Sequence, residues 1–186
     1  LPRPKVFCTF TFATNPSSAM KTTLFCCVLA CMPAAALFSQ DKTAEKEKTA
    51  IRKVIEAETE AFVNVDRKGW EAAWADVPYA CWSYADSTGT TFVEGWKSIS
   101  RFFDAYFKTA QPSRTIDVAK AGGKVQVNRE WKEIRVYGTG AFTRHTQRVS
   151  NGSINMDETS HVRVLEKKDG QWKIVCVMVI ATYPED

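Results

Sequence analysis

Hydrophobic and polar residues recur with two different periods along this chain, and each change of period marks a new element. From Lys42 to Val65 the period is helical, with Ile51, Val54, Ile55, Phe62 and Val65 on one stripe and lysines and glutamates opposite. Asp66 then offers an N-cap to a short second helix that sets Trp70 and Trp74 on one face, and Pro78 closes it. Tyr79 to Tyr84 and Thr90 to Glu94 read as strands around the turn Asp86-Ser87-Thr88-Gly89. After Gly95 a third helix runs from Trp96 to Ala110, with Ile99, Phe102, Phe103, Tyr106 and Phe107 on its apolar face. Beyond Pro112 the pattern is β: a strand over Val125–Tyr137, broken or bulged around Asn128–Trp131, then three strands joined at Asn151-Gly152 and Asp169-Gly170.

Asn-Gly and Asp-Gly are strong hairpin signals, because both central residues of a two-residue loop need φ > 0. Counting outward from Asp169-Gly170 pairs Trp172 with Lys167, Ile174 with Leu165, Cys176 with Arg163 and Met178 with His161. Counting from Asn151-Gly152 pairs Phe142 with His161, Arg144 with Thr159, Thr146 with Asp157 and Arg148 with Asn155. Alternation then gives all of these one face, the helix-facing one, and gives Val162, Val164, Val175, Val177 and Val179 the other. That valine face is expected to make a homodimer. His145 and His161 fall on opposite faces by the same count, so no metal site is expected.

The element order is α-α-β-β-α-β-β-β-β, and helices segregated from an antiparallel sheet define an α+β fold. About six strands are expected to wrap over three helices from the N-terminal half. The chain resembles the nuclear transport factor 2-like superfamily, the cone-shaped fold of SnoaL-like cyclases and ketosteroid isomerase. The resemblance covers roughly residues 46–182. It rests on the opening helix with Ile51 and Phe62, on Asp66/Trp70/Trp74, on Gly95-Trp96, on Gly138-Thr139-Gly140-Ala141 and on Lys168-Asp169-Gly170-Gln171-Trp172-Lys173-Ile174-Val175. It implies a pocket inside the cone. Its expected lining is Trp70, Trp74, Trp82, Tyr84, Phe103, Tyr106, Phe142, Arg144, His161, Arg163, Cys176 and Met178.

Chemistry of the ketosteroid isomerase kind needs a carboxylate base in apolar surroundings and a donor for the developing oxyanion. The candidates are His161 and Asp157, about 13 Å apart along one strand and so no dyad. A carboxylate flanked by arginines, as Asp157 would be, is a weaker base. The chain also departs from many SnoaL-like relatives, which carry histidine on the last strand where Cys176, Met178 and Ile180 stand here.

Composition changes the picture mainly at the N-terminus. Met20-Lys21 opens an apolar run from Leu24 to Phe38 that switches abruptly to Asp-Lys-Thr-Ala-Glu, the pattern of a secretory signal peptide. Residues 1–39 read as upstream segment plus signal peptide, with Met20 the start, and residues 40–186 as one domain. The run is short for a membrane span, so the protein is expected in the periplasm or outside the cell. Val28-Leu29-Ala30-Cys31 offers lipidation at Cys31 as the alternative. Without residues 1–39 the chain has 22 basic and 21 acidic residues, so its basicity does not point to nucleic acid. Cys81 and Cys176 remain, expected as two separate thiols. No phosphate loop, nucleophile elbow or paired-cysteine motif occurs, and no cofactor is expected. The leading function is an exported binder of a small apolar ligand, with a carboxylate on it met by Arg144 or Arg163. The alternatives are a SnoaL-like isomerase, dehydratase or cyclase, and a non-catalytic dimerisation or assembly domain.

Overall fold

The computed structural model describes residues 35–108, 118 and 124–181, with side chains from 42 onward. The upstream segment, the apolar run as far as residue 34 and Cys31 lie outside the described residues. Helix α1 spans Ala35–Val63, so it begins upstream of the expected Lys42, within the stretch read as leader. It ends in a Schellman arrangement, with Val65 N–H on the Phe62 carbonyl and Asp66 N–H on the Ala61 carbonyl. Val65 takes the left-handed position at φ 59°, which is costly for a β-branched residue. Asp66 then caps α2, Arg67–Ala72, by accepting the Gly69 N–H at 3.0 Å.

Strands β1, Cys81–Asp86, and β2, Gly89–Glu94, form the first hairpin. Gly95, at φ 82°, hands the chain to α3, Trp96–Phe102. The expected third helix is interrupted: Phe103 leaves helical geometry at ψ 3°, and a separate turn of helix, α4, covers Asp104–Phe107. The remaining strands are β3 (Gln126–Tyr137), β4 (Gly140–Ser150), β5 (Thr159–Lys168) and β6 (Gln171–Ala181). The register of β3 against β4 shifts between Trp131 and Glu133, at the edge of the expected irregularity.

The six strands form one sheet in the order β2-β1-β6-β5-β4-β3. It is mixed, since β1 runs parallel to β6 while every other pair is antiparallel. Helix α1 lies over β3 and β6 on the inner face. Ile51 and Ile55 are fully buried there with Trp70, Ile99, Leu165 and Ile174. An aromatic cluster fills the helical end of this core. Phe62 stacks on Tyr106 at 4.2 Å, and Trp70 lies 5.3 Å from Phe103 and 5.4 Å from Trp96.

The two hairpin turns behave differently. Asp169 (φ 49°) and Gly170 (φ 78°) are both left-handed, and Lys168 pairs with Gln171 across a two-residue loop, as expected. Asn151 does not turn this way, because its side chain is engaged elsewhere. Its Oδ1 accepts the N–H groups of Ser153 and Ile154, and its Nδ2 donates to the Val118 carbonyl at 2.7 Å. The connection therefore runs from 151 to 158, and Phe142 pairs with Val164 instead of His161. A slip of three residues is odd, so it turns every expected inward side chain of β4 outward. A second inversion follows at Val175. Leu165 pairs with Ile174, but Val164 pairs with Cys176, which leaves Val175 as the extra residue of a β-bulge.

These two inversions correct the face map. Ala141, Thr143, His145, Gln147 and Val149 are the buried, inward residues of β4, while Phe142, Arg144, Thr146 and Arg148 face outward. On β6, Cys176, Met178 and Ile180 alternate onto the outer face, and Val177 and Val179 go inside. The five valines thus share no face, since Val162 and Val164 lie opposite the outward Met178 and Cys176. Gly152 (φ 85°) and Gly170 both hold conformations that valine resists. Gly152→Val and Gly170→Val should each cost about 1–2 kcal/mol in urea denaturation; unchanged midpoints in both would contradict these turns.

Candidate functional site

Glu58 lies on the same helical stripe as Ile51, Ile55 and Phe62, so the packing that buries α1 also buries a carboxylate. Both of its oxygens are engaged. Trp70 Nε1 donates to Oε1 at 3.0 Å, and Arg163 Nη1 on β5 donates to Oε2 at 2.5 Å. The ion pair is almost fully enclosed, with the Arg163 side chain 4% and that of Glu58 7% exposed. Thr59 extends the cluster: it receives Arg129 Nη2 at 3.0 Å and gives its own proton to the Ile55 carbonyl at 2.9 Å. Arg129 also donates to Gln147 Oε1. Burial, and then the neighbouring Arg163, lower the Arg129 guanidinium to about 10, which still leaves it cationic at neutral pH. The inner face therefore holds two buried or half-buried cations against one buried carboxylate.

Two histidines lie within this field. His145 and His161 are paired across β4 and β5, and their rings stack at 5.0 Å with 9° between planes. The sequence count had set them on opposite faces, and the slip at Asn151 brings them together. Burial pushes both imidazoles well below the ordinary histidine range, and the Arg163 charge adds to it. Both are neutral. The Thr159 hydroxyl lies 2.8 Å from His161 Nε2 and 3.2 Å from the Gln147 carbonyl oxygen, hydrogen bonded to both. Neither His161 Nδ1 nor either nitrogen of His145 has a partner within the described protein.

Above this floor opens a cavity of about 250 Å³. Its walls are Phe62, Trp82, Tyr84, Phe103, Val177 and Val179; Glu58, Gln147, His161 and Arg163 reach it from below, and Met156 and Asp157 stand at its rim. The structure thus brings together Trp70, Trp82, Tyr84, Phe103, His161 and Arg163 from the expected lining. Trp74 and Tyr106 are buried in the aromatic core instead, with Tyr106 Oη donating to the Phe62 carbonyl at 2.7 Å. Phe142, Arg144, Cys176 and Met178 belong to the outer face, so Arg144 cannot meet a ligand inside. Asp157 is exposed and precedes β5.

Glu58, Thr59, Gln147 and Arg129 were missed by the sequence reading. Glu58 had a signal, an acid three residues after Ile55 on an apolar stripe; Gln147 had none once the β4 register was misread. A larger groove of about 540 Å³ lies elsewhere, between α1, α2 and the β5–β6 turn. It is open, and Glu47 in it is already held by Lys167 and Trp172. Among the described residues no group of three or more His, Cys, Asp or Glu is placed to hold a metal ion, and no helix is long and apolar enough to cross a membrane.

No family model and no curated protein matches the chain in sequence. Solved structures do match in shape, and several of them are described as NTF2-like or as having a cystatin-like fold. An NTF-2 like protein of unknown function from Shewanella oneidensis MR-1 aligns over 72% of this chain and 98% of its own, at 15% identity and a TM-score of 0.53. Another from Pseudomonas putida KT2440 aligns over 77% and 92%, at 15% identity and a TM-score of 0.55. A putative calcium/calmodulin-dependent protein kinase type II association domain from Thiobacillus denitrificans ATCC 25259 aligns over 70% and 93%, at 11% identity and a TM-score of 0.53. The expected cone fold is therefore the fold of this chain.

Proposed function

We propose that this chain is an exported binding protein whose ligand is small and mostly apolar with an anionic head, held between α1 and the inner face of the sheet. The observation that carries the reading is the make-up of the cavity: aromatic and valine walls over a floor where Arg163 is the cation, paired with Glu58, and Arg129 stands behind it on Gln147 and Thr59. Apolar walls with a few convergent polar groups are the usual form of a small-molecule site. At about 250 Å³ the space equals roughly eight water volumes, which favours a short-chain or single-ring acid. Support for export comes from the sequence alone, in the apolar run from Leu24 to Phe38 behind Lys21.

Acid/base catalysis has less support. His161 is neutral, its Nε2 is committed to Thr159, and a proton added to it would be buried beside the Arg163 and Arg129 charges. Glu58 has both oxygens occupied. Titrating the protein's tryptophan fluorescence with hexanoate, benzoate and the matching alcohols tests the binding reading. The acids should bind at least tenfold tighter than the alcohols; equal affinity, or none for either, would contradict an anion-preferring cavity.

A second reading, assembly through the outer face of the sheet, is favoured by a different observation. Met178 is 41% and Ile180 50% exposed, beside the half-buried Phe142, Val162 and Val164. Exposed apolar residues grouped in this way are a mark of association surfaces. Met178→Glu with Ile180→Glu should then give a folded monomer in sedimentation equilibrium where the parent is a dimer. A dimer that survives both changes would rule this face out.

A further inference from the structure

Cys81 and Cys176 are free cysteines with no part in the cavity. They stand directly opposite each other in the parallel ladder of β1 and β6. Their neighbours Trp82, Tyr84, Val177 and Val179 line the cavity, so by alternation both cysteine side chains leave the sheet on the same, outer side. Neighbouring strands lie about 4.7–4.9 Å apart, and a disulfide spans Cα separations of about 4.4–6.8 Å. Joining the two sulfurs therefore needs side-chain rotation and no movement of a strand. The place of the pair in the sheet matters as well. Among the described residues, the β1–β2 hairpin pairs with the other four strands only through the β1–β6 ladder, and parallel pairing is slightly weaker per residue than antiparallel. Trp82 and Tyr84, two walls of the cavity, are carried by β1.

We propose that Cys81 and Cys176 form an oxidisable dithiol site, closing to an intramolecular disulfide that clamps the β1–β2 hairpin, and with it the Trp82–Tyr84 wall, to β6. The co-reactant is a disulfide, either a small one such as oxidised glutathione or the active disulfide of an oxidoreductase. Cys81 reacts first, since it is half-buried and reachable while Cys176 is buried. Burial and the neighbouring Cys81 also hold the Cys176 thiol up at about 12, and a protonated thiol is a poor nucleophile. The Cys81 thiolate attacks one sulfur of the co-reactant and expels the other as a thiolate, which takes up a proton. Cys176 then loses its proton, attacks Cys81 Sγ in the mixed disulfide and expels the second thiolate. Two protein thiols are oxidised to one disulfide, and the co-reactant disulfide is reduced to two thiols. The bond forms within one chain and is independent of the ligand-binding reading.

The test uses the full chain incubated with oxidised glutathione, alkylated and digested with trypsin. The expected product joins the peptide of residues 69–97 to that of residues 174–186, two hydrogens lighter than the two together. Cys81→Ser should abolish it, and Cys176→Ser should leave Cys81 as a lasting glutathione adduct. Amide exchange in β1 and β2 should slow at least tenfold on oxidation and recover with dithiothreitol. Recovery of both cysteines as separate alkylated or glutathionylated residues would overturn the dithiol site. Formation of the bond with unchanged exchange in β1 and β2 would overturn the clamp.

Discussion

Glu58→Ala should destabilise the protein by about 3–5 kcal/mol, because it leaves the Arg163 charge buried without its partner. The same change removes the acceptor of Trp70 Nε1, a side chain only 1% exposed. Urea denaturation at pH 7 measures the effect as a lowered midpoint with an unchanged slope. Replacing both partners by apolar residues, Glu58→Leu with Arg163→Met, should cost less than either single change, since no buried charge is then stranded. A loss below about 1 kcal/mol for Glu58→Ala would mean that α1 does not seat this carboxylate on the sheet.

Acidification is the second large effect. Burial and the Arg163 charge lower the folded-state pKa of both His145 and His161, while in the unfolded chain each titrates near 6.5. Below that pH the unfolded state binds protons that the folded state refuses, so stability falls as pH falls. The charged groups facing the pair are Arg129 and Arg163, with Glu58 beyond them on α1, so no carboxylate beside the rings offsets the loss. Two protons give a slope approaching about 2.7 kcal/mol per pH unit below about pH 6. Glu47, Asp104 and Glu166, whose ion pairs and hydrogen bonds hold them below the ordinary carboxylate range, add in the same direction only at more acid pH. Urea midpoints between pH 7.5 and 5 read the histidine window directly. His145→Leu with His161→Leu should remove most of the slope there, and a flat profile in the parent would contradict a neutral, buried pair.

Which parts of this molecule were legible in its sequence follows from where each residue's constraint lies. The helical stripe of α1, the Asp66 cap and the Asp169-Gly170 turn are local features, and the structure has all three. Asn151-Gly152 carries the same kind of signal, but its outcome depends on the Val118 carbonyl, 33 positions away in the chain. The Val175 bulge leaves no mark in a run of valines, because alternation cannot be seen where every position is apolar. Each of these reverses a face. That is why Arg144 and Met178, read as cavity residues, lie outside, while Gln147 and Val177 lie inside. His161 and Arg163 stayed in place because β5 was counted from a correct turn and the bulge's extra residue, Val175, lies on β6 and leaves the alternation of β5 unbroken.

Filling the space between α1 and the inner face tests directly whether the ligand lies there. Val179 lines the cavity and is half-buried, so Val179→Phe can occupy ligand volume while the Glu58–Arg163 pair stays intact. Calorimetric titration of benzoate into the parent and into Val179→Phe, at matched thermal stability, is the measurement. Affinity should fall at least tenfold in the variant, about 1.4 kcal/mol, with Arg144→Ala on the outer face unchanged. Undiminished binding by Val179→Phe, or loss of binding in Arg144→Ala, would place the ligand elsewhere and contradict a site between α1 and the inner face.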